Sequence, residues 1–114
     1  MECRINAEDP SNDFIPSSAK VEEFYAPGGN GVRMDSHVYA GYEISPHYDS
    51  LIGKLIVHSE DRNTTINRMQ RALEETIIEG PKTTIPFHQA IMRNSDFQAG
   101  NFHTGFLETF VYEE

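Results

Sequence analysis

The sequence is poor in cysteine, with Cys3 as the single thiol among 114 residues. One cysteine cannot form an internal disulfide or supply the paired thiolates of a multi-cysteine zinc site. The five histidines never show the i,i+4 spacing that places two ligands on one helix face, so we expect no metal site. Alternation puts Cys3 on the apolar face of a strand, where we expect a buried, unreactive thiol.

Basic residues are scarce as well. Nine Lys and Arg stand against eighteen Asp and Glu, which gives a formal net charge of −9. A protein that binds a nucleic-acid backbone or an anionic membrane surface needs an excess of cations. We therefore expect no nucleic-acid partner and no membrane partner.

Long apolar runs are also missing. No stretch approaches the roughly 20 apolar residues of a membrane-spanning helix. The first residues do not form a basic segment followed by an apolar one, so no secretory signal is visible. The length is that of one domain, and we expect it to reside in the cytoplasm.

The first half of the chain has the pattern of strands. Alternating or apolar segments predict strands near residues 2–7, 20–25, 32–39 and 51–58. Three glycines and Asn30 at residues 28–31 predict a tight hairpin turn. In the segment that follows, one face is mostly apolar, and the other carries Arg33, Asp35, His37 and Tyr39.

The second half has the pattern of helices. Asp61 is a candidate N-cap for a helix whose apolar stripe runs to Ile77 and which ends at Gly80-Pro81. Thr84 and Thr104 are candidate caps for two further short helices. Antiparallel strands in the first half, packed with helices from the second, define an α+β domain.

Arg33 is the one candidate that residue types alone bring forward. It is the only Lys or Arg between Lys20 and Lys54, and it follows the Gly-rich turn directly. The plain interpretation is a surface ion pair with Asp35 or Glu43, which contributes little to stability. Composition alone favours that interpretation over a functional one.

Five short motifs, in a fixed order along the chain, resemble those of a known protein family. GGNGVRMDSHVYAGY (residues 28–42) is followed by YDSLIGKLI (48–56), and the flanking pieces are ECRINAEDP (2–10), IPFHQAIM (85–92) and TGFLE (104–108). In this order the sequence resembles the C-terminal domain of biotin carboxylase, the ATP-dependent component of acetyl-CoA carboxylase, over nearly the whole chain. The sequence also resembles the biotin carboxylase subunit of bacterial acetyl-CoA carboxylase.

The resemblance implies a role for Arg33. In the family, an Arg directly after the Gly-rich turn stabilises the negative charge that develops on the ureido oxygen of biotin. A guanidinium suits that task because it stays charged and donates in parallel. With the resemblance, a catalytic role for Arg33 is favoured over a surface pair. Asp35 and His37 share its strand face and either orient Arg33 or form an ordinary hydrogen-bonded surface row; the two interpretations have equal weight.

The resemblance also implies what the chain lacks. In the family, the nucleotide loop, the metal-binding carboxylates and the bicarbonate site belong to an ATP-grasp domain and an N-terminal domain. Residues 1–114 are then a C-terminal domain fragment without carboxylase activity of its own. ATP, Mg²⁺ and carrier-bound biotin are cofactors of the parent enzyme, and we expect the fragment alone to bind none of them.

The expected partners follow the same resemblance. They are the biotin carboxyl carrier protein, the carboxyltransferase subunits and a second copy of the enzyme. The edge from His58 to Arg62 is a candidate dimer interface, and a solvated helix N-terminus is the alternative. Two other functions stay open: the biotin carboxylase domain of a propionyl-CoA or pyruvate carboxylase, or a binding module without chemistry.

Overall fold

The computed structural model describes residues 1–47 and 49–112. The strands are β1 (Glu2–Asn6), β2 (Glu8–Asp9), β3 (Ile15–Pro16), β4 (Glu23–Tyr25), β5 (Val32–Ser36), β6 (Leu51–Val57) and β7 (Ile77–Glu79). The helices are α1 (Arg62–Glu75), α2 (Ile85–Arg93), α3 (Ser95–Gln98) and α4 (Phe106–Thr109). The α+β class is confirmed, with most strands in the first half and all described helices in the second.

A three-stranded antiparallel sheet in the order β1-β6-β5 is the centre of the fold. Strand β6 lies in the middle and is the most apolar segment, as expected for a strand with neighbours on both sides. Gly53 in β6 allows a close approach to β5, because a Cβ there would lie 3.0 Å from the Asp35 carbonyl oxygen. The pairing of β1 with β6 shifts register between Ile5 and Asn6, next to this glycine, which marks a bulge in the sheet.

Helix α1 packs on β6 and supplies much of the core. Its buried residues are Ile66, Met69, Ala72 and Leu73, which face the buried row of the sheet that includes Ile5, Leu55 and Val57. The helix begins where predicted, because the Asp61 carboxylate accepts a hydrogen bond from the Thr64 backbone N–H at 2.7 Å.

The free edge of β1 is covered by the start of α2. The Thr84 hydroxyl accepts from the Asn6 N–H at 3.0 Å and donates to the Arg4 carbonyl at 3.2 Å. The His88 ring lies 2.8 Å from the same carbonyl through Nε2. Thr84 stands at the predicted cap position, but its side chain bonds to β1 instead of capping α2. This arrangement supplies hydrogen-bond partners to backbone groups at the edge of β1, which would otherwise be open to pairing with other chains.

Two predictions about chain reversals are wrong. The Gly-rich segment is not a hairpin turn, because β4 pairs with β7 whereas β5 pairs with β6. Helix α1 ends at Glu75 rather than at Gly80, and Ile77 is 43% exposed in β7 instead of belonging to the helix stripe. The β-branched run from Thr76 to Ile78 has strand propensity, and β4 offers it a partner.

Near the C-terminus, the third predicted helix is short. Helix α4 follows Gly105 without a side-chain cap from Thr104, and α3 was not predicted. The Cys3 thiol is 3% exposed, so the expectation of a buried thiol is confirmed, and burial raises its pKa to about 12. None of the described helices has the length and apolar character needed to cross a bilayer.

Candidate functional site

The solvent-facing side of the central sheet carries a small array of charges. Alternation turns Cys3, Ile5 and Leu55 inward and leaves their neighbours outward. The strand register puts Arg4, Lys54 and Asp35 side by side across the three strands. The neighbouring row across the same strands is Glu2, Ile56 and Arg33. Three of the nine Lys and Arg residues therefore share one face of an acidic chain.

Arg33 and Asp35 form an ion pair on this face. The Arg33 Nε atom lies 3.0 Å from the Asp35 Oδ1 atom, and the two side chains are 67% and 52% exposed. Of the two carboxylates considered from the sequence, the pair uses Asp35 rather than Glu43. At this exposure the pair contributes at most about 1 kcal/mol to stability. Its main effect is to hold the guanidinium by its Nε edge.

His37 is placed apart from this pair. Strand β5 ends at Ser36, and the His37 ring packs edge-to-face on Tyr42 with centroids 5.4 Å apart. Across residues 1–47 and 49–112, no hydrogen bond or ion pair joins His37 to Arg33 or Asp35. His37 instead lines a cleft of about 260 Å³ with Tyr42 and Leu51. The second resemblance motif begins at Tyr48, which lies outside the described residues.

The segment before Arg33 rests on helix α1. Gly31 has φ +70°, and a Cβ there would overlap the His58 carbonyl oxygen and the Arg68 guanidinium. The His58 N–H donates to the Gly31 carbonyl at 2.8 Å, and Arg68 Nη1 donates to the His58 carbonyl. The glycine is therefore required by close packing and by a backbone conformation that other residues rarely adopt.

The two residues predicted at a dimer edge have different surroundings. His58 is exposed directly after β6, and its backbone bonds to Gly31 and Arg68. Arg62 is engaged within the chain, because Nη2 donates to the Phe97 carbonyl and the guanidinium lies over two aromatic rings. Their centroids are 4.9 Å away for Phe97 and 5.1 Å for Phe102.

Arg4 and Lys54 were missed as neighbours of Arg33. The sequence signal was available, since both occupy the polar phase of an alternating strand. What was missing was the order β1-β6-β5, which brings them to the same face. In the described part of the chain, no three His, Cys, Asp or Glu side chains form a cluster suited to a metal ion.

Comparison with known proteins shows the family to which the chain belongs. The family model of the biotin carboxylase C-terminal domain matches residues 2–109, and the chain belongs to that family. It is 58% identical to biotin carboxylase from Nostoc sp. over 108 residues, which are 95% of this chain and 24% of that protein. It is also 58% identical to a pyruvate carboxylase component from Methanothermobacter thermautotrophicus over 110 residues, which are 96% of this chain and 22% of that protein.

Solved structures give the same result. The biotin carboxylase domain dimer of Hydrogenobacter thermophilus 2-oxoglutarate carboxylase, in complex with MgADP, ADP and bicarbonate, matches with a TM-score of 0.93 and 49% identity. The match covers 99% of this chain and 26% of that one. Biotin carboxylase from Campylobacter jejuni matches with a TM-score of 0.91 and 48% identity, over 96% of this chain and 24% of that one. The chain spans about a quarter of the length of these relatives.

Proposed function

We propose that this domain works within a longer, cytoplasmic biotin carboxylase chain and contributes Arg33 to the ATP-dependent carboxylation of biotin by bicarbonate. The biotin is carried by a biotin carboxyl carrier protein, and carboxyltransferase subunits complete the second half-reaction. The proposed parent enzyme is acetyl-CoA carboxylase, in which acetyl-CoA accepts the carboxyl group for fatty acid synthesis. Support comes from the family membership and from the resemblance of GGNGVR (residues 28–33) to the family's catalytic segment.

The observation that carries the proposal is the ion pair between Arg33 and Asp35. Asp35 engages the guanidinium at Nε, and the described residues provide no partner for the two Nη groups. Those groups keep donors for an anionic oxygen in a fixed planar fork. A preorganised donor of this kind lowers the energy of a transition state in which negative charge appears on an oxygen.

The chemistry assigned to Arg33 is a charge-stabilising one. In the proposed reaction, a base outside this domain removes the N1 proton of biotin, and the negative charge moves onto the ureido oxygen. Carboxyphosphate, formed from ATP and bicarbonate with release of ADP, breaks down to carbon dioxide and phosphate. The N1 atom then forms a bond to that carbon dioxide. Arg33 donates to the ureido oxygen while it is negative. ATP and Mg²⁺ are held by the other domains, so this domain needs no nucleotide-binding residues for its part.

The neighbouring cations support this assignment. Lys54 is paired in register with Asp35, and Arg4 with Lys54. With Arg33 and Glu2 in the neighbouring row, three cations face two carboxylates, so these rows carry a net charge of +1 in a chain of net charge −9. Lys54 lies opposite Asp35 and diagonal to Arg33, and diagonal neighbours on one sheet face are about 7–8 Å apart. A local positive potential attracts bicarbonate and favours a developing oxyanion.

One comparison supports an alternative parent enzyme with a different carboxyl acceptor. The Methanothermobacter pyruvate carboxylase relative is as identical to this chain as the Nostoc biotin carboxylase, at 58% each. A pyruvate carboxylase is therefore the alternative parent enzyme. Assays with purified carboxyltransferase components and either acetyl-CoA or pyruvate would decide between the two acceptors.

The proposed assembly is a homodimer that uses the edge at His58 and Arg62. The relative from Hydrogenobacter thermophilus is a dimer of biotin carboxylase domains. Replacing His58 with Glu in the full-length carboxylase should weaken self-association in sedimentation velocity experiments. An unchanged dimer would remove His58 from the interface.

The decisive experiment replaces Arg33 with Ala in the full-length carboxylase. Biotin-dependent turnover should fall by about 10²–10³, the loss typical of one oxyanion donor. The dissociation constant for ATP should stay the same, because the nucleotide lies in another domain. Arg93→Ala is the matched control, since it removes an exposed arginine at the end of α2 that does not belong to the charged sheet face. Wild-type turnover in Arg33→Ala would exclude the catalytic role and favour a binding module.

A further inference from the structure

Arg68 on helix α1 is connected to the strand that carries Arg33. Arg68 Nη1 donates to the His58 carbonyl, and the His58 N–H donates to the Gly31 carbonyl at 2.8 Å. Gly31 is followed directly by β5, whose first residue is paired in register with Val57. A continuous series of hydrogen bonds therefore runs from α1, through the end of β6, to the residue that enters β5.

The packing around Gly31 makes this connection tight. A Cβ at Gly31 would overlap both the His58 carbonyl oxygen and Arg68 Nη1, so the guanidinium lies directly against the backbone there. The Val32 N–H is also held, by the Gly29 carbonyl at 3.2 Å. The backbone just before Arg33 has little room to move while Arg68 stays in place.

Strand β5 lies at an edge of the central sheet. Among the described residues its one strand partner is β6, which pairs with it from Val32 to Ser36, and the other side of β5 has no strand beside it. The ion-pair partner of Arg33 is Asp35, two residues further along the same strand, so it moves with Arg33 if the strand shifts. The position of the guanidinium relative to the rest of the domain depends on the backbone of β5 and on what holds its entrance.

We propose that Arg68 is a positioning residue for Arg33, acting through the His58 carbonyl and Gly31. This inference rests on the proposed function of Arg33. A displacement of a catalytic group by about 1 Å can cost about 10²-fold in rate. Arg68 does not contact the substrate in this scheme. It holds the start of β5 so that the Nη groups of Arg33 meet the ureido oxygen.

The first test is a double-mutant cycle in the full-length carboxylase. Arg68→Gln should lower kcat for biotin carboxylation by about tenfold and leave the KM for ATP unchanged. In an Arg33→Ala background, Arg68→Gln should have little further effect, because the group that it positions is gone. Arg68→Lys keeps a charged donor but loses the planar fork, and it should fall between the wild type and Arg68→Gln.

Arg71→Gln is the matched control. Arg71 lies three residues further on the same helix and forms an ion pair with Glu75 at 3.1 Å instead of bonding to the His58 carbonyl. Its replacement should leave kcat unchanged. A loss of kcat in Arg71→Gln equal to that in Arg68→Gln would show a general effect of charge on α1 and would overturn the proposal.

The second test is amide hydrogen exchange in the 114-residue chain. Arg68→Gln should speed exchange of the His58 amide by about tenfold while the Leu55 amide in the middle of β6 keeps its wild-type rate. Unchanged exchange at His58 would overturn the proposal. So would an equal loss of kcat from Arg68→Gln with and without Arg33. If Arg33→Ala leaves kcat unchanged, the proposed function fails, whereas the exchange result still shows whether Arg68 holds β5.

Discussion

The Arg33 Nε atom lies 3.0 Å from the Asp35 Oδ1 atom, on the solvent-facing side of strand β5. Both side chains remain more than half exposed, so the pair adds little to the stability of the domain. An ion pair of this kind still restricts the rotamers of a long side chain. The surface pair predicted from the sequence exists, and in the proposed function it is the means by which the guanidinium of Arg33 is oriented.

Removing Asp35 should therefore affect turnover more than stability. Asp35→Ala in the full-length carboxylase should lower kcat by about tenfold, less than the loss of Arg33 itself, because the guanidinium stays but is less ordered. The free energy of unfolding should change by at most about 1 kcal/mol. Glu43→Ala is the control, since Glu43 lies outside β5, and its backbone forms an isolated antiparallel β-bridge with Lys20. A kcat equal to wild type would remove Asp35 from any positioning role.

Gly31→Ala should destabilise the 114-residue chain. The residue has φ +70°, and the new Cβ would overlap the His58 carbonyl, which belongs to backbone and cannot turn away. We expect a loss of about 1–3 kcal/mol in urea unfolding. Gly28→Ala is the matched control, because nothing lies within 4 Å of a Cβ at Gly28. Equal stability of Gly31→Ala and Gly28→Ala would contradict the packing described at Gly31.

His88 should make stability depend on pH. Burial lowers the pKa of the His88 imidazole below its ordinary value of 6.5, and the hydrogen bond to the Arg4 carbonyl only partly opposes that effect. The unfolded chain therefore binds a proton more readily than the folded one. The contribution of neutral His88 is complete above pH 6.5 and declines as the pH falls below that value.

Urea unfolding at several pH values between 5 and 7.5 measures this dependence. His88→Gln keeps a donor for the Arg4 carbonyl but does not titrate, so it should reduce the slope of stability against pH. His47→Gln, at an exposed imidazole, should leave the slope in place. An identical slope in His88→Gln and the wild type would show that His88 is not the group responsible.

The 114-residue chain should show no carboxylase activity by itself. It spans about a quarter of its relatives, and the resemblance assigns the nucleotide and bicarbonate sites to other domains. Phosphate release from ATP in the presence of bicarbonate should not respond to added free biotin. A full-length carboxylase provides the positive control. Biotin-dependent ATP hydrolysis by the chain would refute this prediction.

The strands show how far one-dimensional patterns reach. Alternation correctly assigned Cys3 and Ile5 to the core and Arg33 and Asp35 to the outside, because side chains alternate between the two faces of a strand. The partner of each strand was not accessible in this way. The turn at residues 28–31 suggested that β4 and β5 pair, yet it joins two different sheets. Pairing depends on contacts between residues far apart in sequence, which local spacing does not record.

The end of helix α1 is a second case. Its apolar spacing continued to Ile77, and the glycine and proline beyond it have the order typical of a helix end. In the structure, Thr76 ends the helix, and its hydroxyl donates to the Ala72 carbonyl at 2.7 Å. Ile77 then pairs with Tyr25 in β4. Backbone hydrogen bonds to a strand far upstream in the sequence outweighed one more turn of helix.

The sequence by itself determined the α+β class, the face of the strand on which Arg33 lies, and the isolation of that arginine in an acidic stretch. These properties follow from local alternation and composition. Only the tertiary structure decided that Lys54 and Arg4 share the face of Arg33, and that Arg68 holds the start of its strand. Both depend on β6 lying between β1 and β5 with α1 packed against it, an arrangement set by burial of the apolar row that includes Leu55 and Val57.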